Sequence, residues 1–113
     1  LEAATGKCNC SMCTKTRFWV AFLKPEAFRL LTEEAALSDY TFGSHATHWP
    51  FCRTCGVRPF GIGNDVPGEE RVYGVNLGCL EDVAPEELEA APITYVDGAH
   101  DRWQDTPALT GYL

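Results

Sequence analysis

The run RFWVAFL at 17–23 sets aromatic and branched side chains shoulder to shoulder, the composition of a strand on a pleated, buried surface. FRLL (28–31) and LSDYTFG (37–43) alternate apolar with polar positions, as half-buried strands do. VRPFGIG (57–63) and RVYGVNLGCL (71–80) predict two more strands, and the Gly, Asn, Asp and Pro content of GNDVPGEE marks the loop joining them. Helical signals are few. PEAF (25–28) predicts a single turn opened by Pro25. APEELEAAP (84–92) predicts a short helix with Pro85 at its start, Glu86 and Glu87 in its first turn and Pro92 closing it. The tail DGAHDRWQDTPALTGYL carries turn residues and scattered apolars, which suits a segment wrapped over the rest. The pattern predicts a mainly β protein with one or two short helices, organised as a single domain over 1–113.

Length and charge narrow the picture. A 113-residue chain can bury roughly two thirds of the surface its unfolded form exposes, enough for one modest core. A formal net charge of −7 repels phosphate backbones and anionic lipid, so neither nucleic acid nor membrane is expected as a partner. The longest apolar run, FWVAFL, is far short of the ~18 residues a membrane span requires. No basic-then-apolar leader opens the sequence, and a soluble, cytoplasmic protein is the expectation.

Six cysteines change the reading most. Cys8, Cys10 and Cys13 fall within KCNCSMC, Cys52 and Cys55 within FCRTCG, and Cys79 stands alone in a strand pattern, as a small buried apolar residue would. Disulfides need an oxidising compartment, whereas thiolates this closely spaced converge on one point, where zinc accepts them at about 2.3 Å. Gly56 suits a metal-binding knuckle because it can take the positive φ that turns backbone N–H groups toward sulfur. Zinc is therefore the expected cofactor. Two assignments fit the spacing. Cys10, Cys13, Cys52 and Cys55 can close around one structural zinc, leaving Cys8 spare. Alternatively, Cys8, Cys10 and Cys13 hold a zinc with its fourth position open, the arrangement of catalytic or ligand-binding sites, and Cys52 with Cys55 belong to a separate structural site.

CNCSMC, FGSHATHWPFCRTCGVRPF, YGVNLGCL and DGAHDRW, in that order, resemble the glutathione-dependent formaldehyde-activating family, which includes centromere protein V. The resemblance implies a tent-like arrangement of small antiparallel sheets around zinc. It implies that Cys8, Cys10 and Cys13 hold a catalytic zinc. Cys52 and Cys55 would complete a structural zinc with an earlier C-x-C pair. That pair is not in this sequence, which opens on Leu1, so an N-terminal strand upstream of Leu1 is expected. The activity implied is that of a zinc-dependent carbon–sulfur lyase resembling an S-(hydroxymethyl)glutathione synthase. Its partners are glutathione or a related small thiol and the formaldehyde adduct. The competing reading is a non-catalytic zinc module that binds a thiol or a protein.

Three thiolates on Zn²⁺ leave a charge of about −1, which weakens the metal as a water activator and suits a soft fourth ligand such as a substrate thiol. Glutathione carries two carboxylates, and Lys15, Arg17, Arg53 and Arg58 flank the cysteine clusters as candidate anion-binding residues. His45 and His48, just before Cys52, are candidate metal ligands or exposed loop residues. Asp97 and Asp101 are candidates to fix His100 by hydrogen bonding. Trp19 and Trp49 are the aromatics best placed to line a pocket. Two features depart from the family pattern. The run TKTRFW lacks the glycine that many members have soon after the third cysteine. Pro50 interrupts the approach to Phe51-Cys52, where a change confined to a loop is expected.

Overall fold

A computed structural model describes residues 4–113. The chain divides into two compact units, one of Leu1–Ala21 with Leu80–Leu113 and one of Phe22–Cys79. The protein is mainly β, with small antiparallel and mixed ladders and two short α-helices.

The first unit is built from both ends of the sequence. Strand β1 (Thr5–Cys8) leads into helix α1 (Ser11–Thr16), and the chain returns on β2 (Trp19–Leu23). Strands β1 and β2 pair antiparallel, with Lys7 opposite Trp19. Helix α2 (Pro85–Ala90) and strand β7 (Ile93–Val96) follow from the far end. Strand β7 runs parallel to β1, which sets Cys8 opposite Val96. Thr5 anchors this pairing. Its buried hydroxyl donates to Pro92 O and accepts the Trp19 indole N–H, each at 2.7 Å. Helix α2 starts at the expected proline and ends before Pro92, whose ring disfavours helical geometry in the residue it follows.

In the second unit, β3 (Leu37–Tyr40) pairs antiparallel with β4 (Trp49–Cys52), and β5 (Phe60–Gly63) with β6 (Val72–Asn76). Pro50 lies inside β4, buried and opposite Asp39, rather than in a loop. A two-stranded ladder has only edges, and an edge tolerates a residue without an N–H. FRLL is not a strand. Phe28 follows a 3₁₀ turn at Pro25–Ala27 and stacks on Tyr73 with ring centroids 4.4 Å apart, against Phe60 at 4.7 Å. Aromatic packing there takes the place of a ladder.

The apolar core is thin. Among the described residues, Phe18 and Ala91 are the buried apolar side chains of the first unit and Phe60 and Leu77 those of the second, while Phe22, Leu31, Phe42 and Trp103 are among the large apolar side chains left exposed. With so little apolar area removed from water, polar networks carry more of the folding than is usual at this length.

Candidate metal centre

Local chain geometry brings three sulfurs together at the exit of β1. Cys8 ends the strand, and Cys10 keeps extended geometry (φ −62°, ψ 161°) as the N-cap of α1. The extended step puts Cys8 and Cys10 on one face. The helix turns back and adds Cys13 from its first turn. Sulfur takes the capping role usually filled by oxygen, since Cys10 Sγ accepts the Cys13 N–H at 3.4 Å and Cys8 Sγ accepts the Cys10 N–H at 3.4 Å. The three Sγ atoms lie within 4.8 Å of one another, the group of three or more candidate metal ligands found among the described residues. Tetrahedral ligation at 2.3 Å requires sulfurs about 3.8 Å apart, so a small adjustment of the side chains suffices.

The electrostatics say the same. The Cys10 and Cys13 thiols hydrogen-bond to Cys8 and hold its pKa far below the ordinary thiol range, against the opposing effect of burial. Cys13 is pushed far up by the Cys10 sulfur, then by the Cys8 sulfur and by burial. For Cys10 the Cys13 thiol acts downward, but the Cys8 sulfur and burial prevail and the net shift is upward. Alone, the trio supports one negative charge. A divalent cation at its centre would let the remaining protons leave, and this donor set suits such a cation.

A hydrogen-bonded loop supports the trio from the other end of the sequence. Asn9, between the first two cysteines, donates from Nδ2 to Asp97 Oδ1 at 2.8 Å and accepts the Ala99 N–H at 2.9 Å. Both Asn9 and Asp97 are buried. Hydrogen bonds from Asn9, then from His100, keep the Asp97 carboxyl below its usual range. His100 Nδ1–H donates to Asp97 at 2.8 Å, whereas Asp101 accepts the Trp103 indole N–H. Asp97 therefore fixes His100 and Asp101 does not. Gly98 completes the loop. Its N–H points at Cys8 Sγ and lowers that thiol's pKa further, and a Cβ at this position would lie 2.5 Å from the sulfur.

A cavity of about 150 Å³ opens beside the trio, lined by Cys8 and Cys13 with Lys7, Arg17, Phe18 and Leu113. Arg17 is thus on the cavity wall. Lys15, in the last turn of α1, is exposed and not part of that lining. Trp19 sits behind Lys7, whose ammonium lies 5.3 Å from its ring centroid. Sequence reasoning overlooked Lys7, Asn9 and Gly98. Their signal was adjacency for the first two, which directly flank Cys8, and membership of the DGAHDRW tail for Gly98.

Cys52 and Cys55 are in the second unit, at the end of β4 and in the turn after it. Gly56 takes φ +78° and donates to Cys52 O at 2.8 Å. The N–H groups of Cys55 and Thr54 hold the Cys52 thiol below its ordinary range, the polarity a knuckle offers to a thiolate. Arg53 donates to Ala35 O at 3.1 Å, and Arg58 lies over the Phe51 ring at 4.9 Å. Cys79 Sγ meets Arg58 O at 3.6 Å, and burial, then the Cys55 sulfur, raises its pKa. His48 is no candidate ligand in this geometry, because Asp39 takes Nδ1 at 2.6 Å and Asp65 takes Nε2 at 2.7 Å. His45 Nδ1 lies 2.6 Å from the Thr41 hydroxyl. All six cysteines are free thiols. No helix among the described residues is long and apolar enough to cross a membrane.

Small β-ladders and a three-cysteine cluster define a β-rich protein able to bind a metal ion through cysteine. The sequence model described as "Glutathione-dependent formaldehyde-activating enzyme" matches residues 2–97, and the chain belongs to that family. A crystal structure of a Rhodobacter sphaeroides protein, a structural-genomics target, is similar in fold. It is 30% identical, with a TM-score of 0.63, and the likeness covers 80% of each chain.

Proposed function

We propose that the protein is a zinc-dependent, carbon–sulfur lyase-like enzyme that binds glutathione or a related small thiol and its formaldehyde adduct. One observation carries the reading: the sulfurs of Cys8, Cys10 and Cys13 converge, and two of those residues also line a cavity wide enough for a small thiol. The family's description supports the substrate class. Zinc held by this trio would supply a fourth position that keeps a bound thiol deprotonated near neutral pH.

The remaining work falls to the chain. Lys7 and Arg17 put positive charge on the cavity wall, where the carboxylates of a thiol such as glutathione would lie. Phe18 and Leu113 supply an apolar wall that limits water. The Asn9–Asp97 pair and Gly98 keep Cys8 in place. In the synthetic direction the thiolate sulfur forms a bond to the carbonyl carbon of formaldehyde. The π electrons move to oxygen, and a solvent proton neutralises the alkoxide to give the S-hydroxymethyl thiol. The reverse direction breaks the same carbon–sulfur bond. Cys52 and Cys55 would supply two thiolates to a separate structural zinc, and a cytoplasmic location, where thiols stay reduced, fits both sites.

Metal content and glutathione binding of wild type and Cys8→Ser test the proposal. Zinc at the trio should be lost in the variant while the fold survives, and glutathione should shift the thiolate-to-metal band of a cobalt-substituted wild type. Retention of full metal content by Cys8→Ser would refute the open trio. Metal binding with no response to any thiol would instead favour the non-catalytic zinc module.

A further inference from the structure

The cavity beside the trio has a wall with a second use. Lys7 Nζ donates to the main-chain oxygen of Leu113 at 3.2 Å, and Arg17 Nη1 donates to the carbonyl of Tyr112. Both cations of the cavity are thus engaged by consecutive main-chain oxygens of one segment, and Leu113 itself forms part of the lining. The segment 110–113 lies where a peptide-like ligand would lie and satisfies the groups such a ligand would need.

Three further observations give this contact direction. Arg17 takes the left-handed position after α1 (φ 56°, ψ 43°), where helices favour glycine. That conformation costs a non-glycine residue free energy, and the Arg17 side chain faces the cavity. The segment is also lightly held. A turn bond from Leu113 N–H to Thr110 O (3.0 Å) closes it, while Tyr112 and Leu109 are 51% and 73% exposed. Elements with so little buried apolar surface open at low cost. Finally, about 150 Å³ is only half the lower end of the usual range for ligand sites, about 300 Å³. Moving Tyr112 and Leu113 aside enlarges the cavity and frees both cations together.

We propose that residues 110–113 form an internal competitor, a strap whose main-chain oxygens take Lys7 and Arg17 and screen the site from carboxylate-bearing thiols until such a thiol displaces it. This rests on the thiol-binding reading above. Displacement is favoured at Arg17, because an ionised acceptor makes hydrogen bonds roughly twice as strong as the neutral Tyr112 carbonyl does. A thiol without a carboxylate gains nothing from moving the strap and reaches the trio through the cavity as it stands.

The test uses two probes on zinc-loaded protein, with affinities from isothermal titration. S-methylglutathione has the carboxylates and no free thiol; cysteamine has a free thiol and no carboxylate. A chain ending at Gly111 should bind S-methylglutathione about tenfold more tightly than the full chain and cysteamine within about twofold of it. Arg17→Gly in the shortened chain relaxes the left-handed turn and should abolish the tenfold gain. On the full chain, S-methylglutathione should speed hydrogen exchange at the Leu113 amide, a readout that needs no truncation. Unchanged or weaker S-methylglutathione binding by the shortened chain, or slower Leu113 exchange, overturns the strap. Cysteamine failing to bind either form, while S-methylglutathione behaves as expected, upholds the strap and overturns the open metal position instead.

Discussion

Gly98→Ala puts the support of the metal centre under a measurable load. A Cβ there meets Cys8 Sγ at 2.5 Å and Trp103 Cζ3 and Cη2 at 2.7 and 2.9 Å. Carbon atoms in contact settle about 3.5–4.0 Å apart, so roughly 1 Å of movement must be found. Trp103 is 57% exposed and can swing outward at little cost. Cys8 Sγ cannot, because the Cys10 and Gly98 N–H groups and the ladder to Val96 hold it. Ligand distances in metal sites tolerate about 0.2 Å, so the sulfur contact sets the outcome. The expected result is a stability loss of about 1–3 kcal/mol from overpacking and a 10–100-fold loss of zinc affinity at the trio. Denaturant unfolding of the metal-free protein reads the first, and competition with a chromophoric chelator reads the second. Gly98→Ala/Trp103→Ala separates the two contacts, since it should recover part of the stability and none of the affinity. Zinc affinity within about twofold of wild type in Gly98→Ala, or full rescue by removing the indole, would refute the reasoning.

Three other substitutions probe the polar networks. His48→Gln should destabilise the protein more at pH 6 than at pH 9. Hydrogen bonds to Asp39, then Asp65, raise the His48 pKa, so its contribution is complete below the usual imidazole value of about 6.5 and fades as pH rises through the folded value; NMR titration of His48 should show that upward shift. The Asp65 carboxyl, lowered by Arg71 and then His48, contributes above its ordinary pKa and loses that contribution as pH falls, so acid should erase the same network. Asn9→Ala leaves the buried Asp97 carboxylate and the Ala99 N–H short of a partner, and should cost about 1–3 kcal/mol in thermal or chemical unfolding, with weaker metal binding. Thr5→Val strands the Trp19 indole N–H and leaves the Pro92 carbonyl with the Thr5 backbone N–H alone. A loss of about 1–3 kcal/mol is expected, with altered tryptophan fluorescence.

The strands at Trp19–Leu23, Leu37–Tyr40, Phe60–Gly63 and Val72–Asn76 were legible from alternation and β-rich composition, and Pro85 with two glutamates marked α2. Strand β1 was not, because Thr-Gly-Lys-Cys has no apolar alternation and exists through its pairing with β7. ITYV alternates plainly, yet its place beside β1 depends on a contact 88 residues apart that no local pattern carries. Helix α1 hid behind the cysteine spacing, its cap being a sulfur and its end an arginine in place of glycine. The missing glycine in TKTRFW was visible as a departure; that the position is left-handed was not. The thiols could be counted from the sequence, whereas the Asn9, Asp97 and Gly98 shell required the fold.

The parallel pairing of β1 with β7 also orders events in time. All three thiols of the trio emerge within six residues of chain, Cys8 to Cys13, but the backbone that locks Cys8 arrives more than 80 residues later. Contacts of such high sequence separation form late and slowly. During synthesis the nascent thiols therefore wait through the elongation of more than 80 residues, soft and accessible, able to exchange ions or oxidise. The geometry that could choose among ions is set last, when β7 docks and its following loop closes over the sulfur.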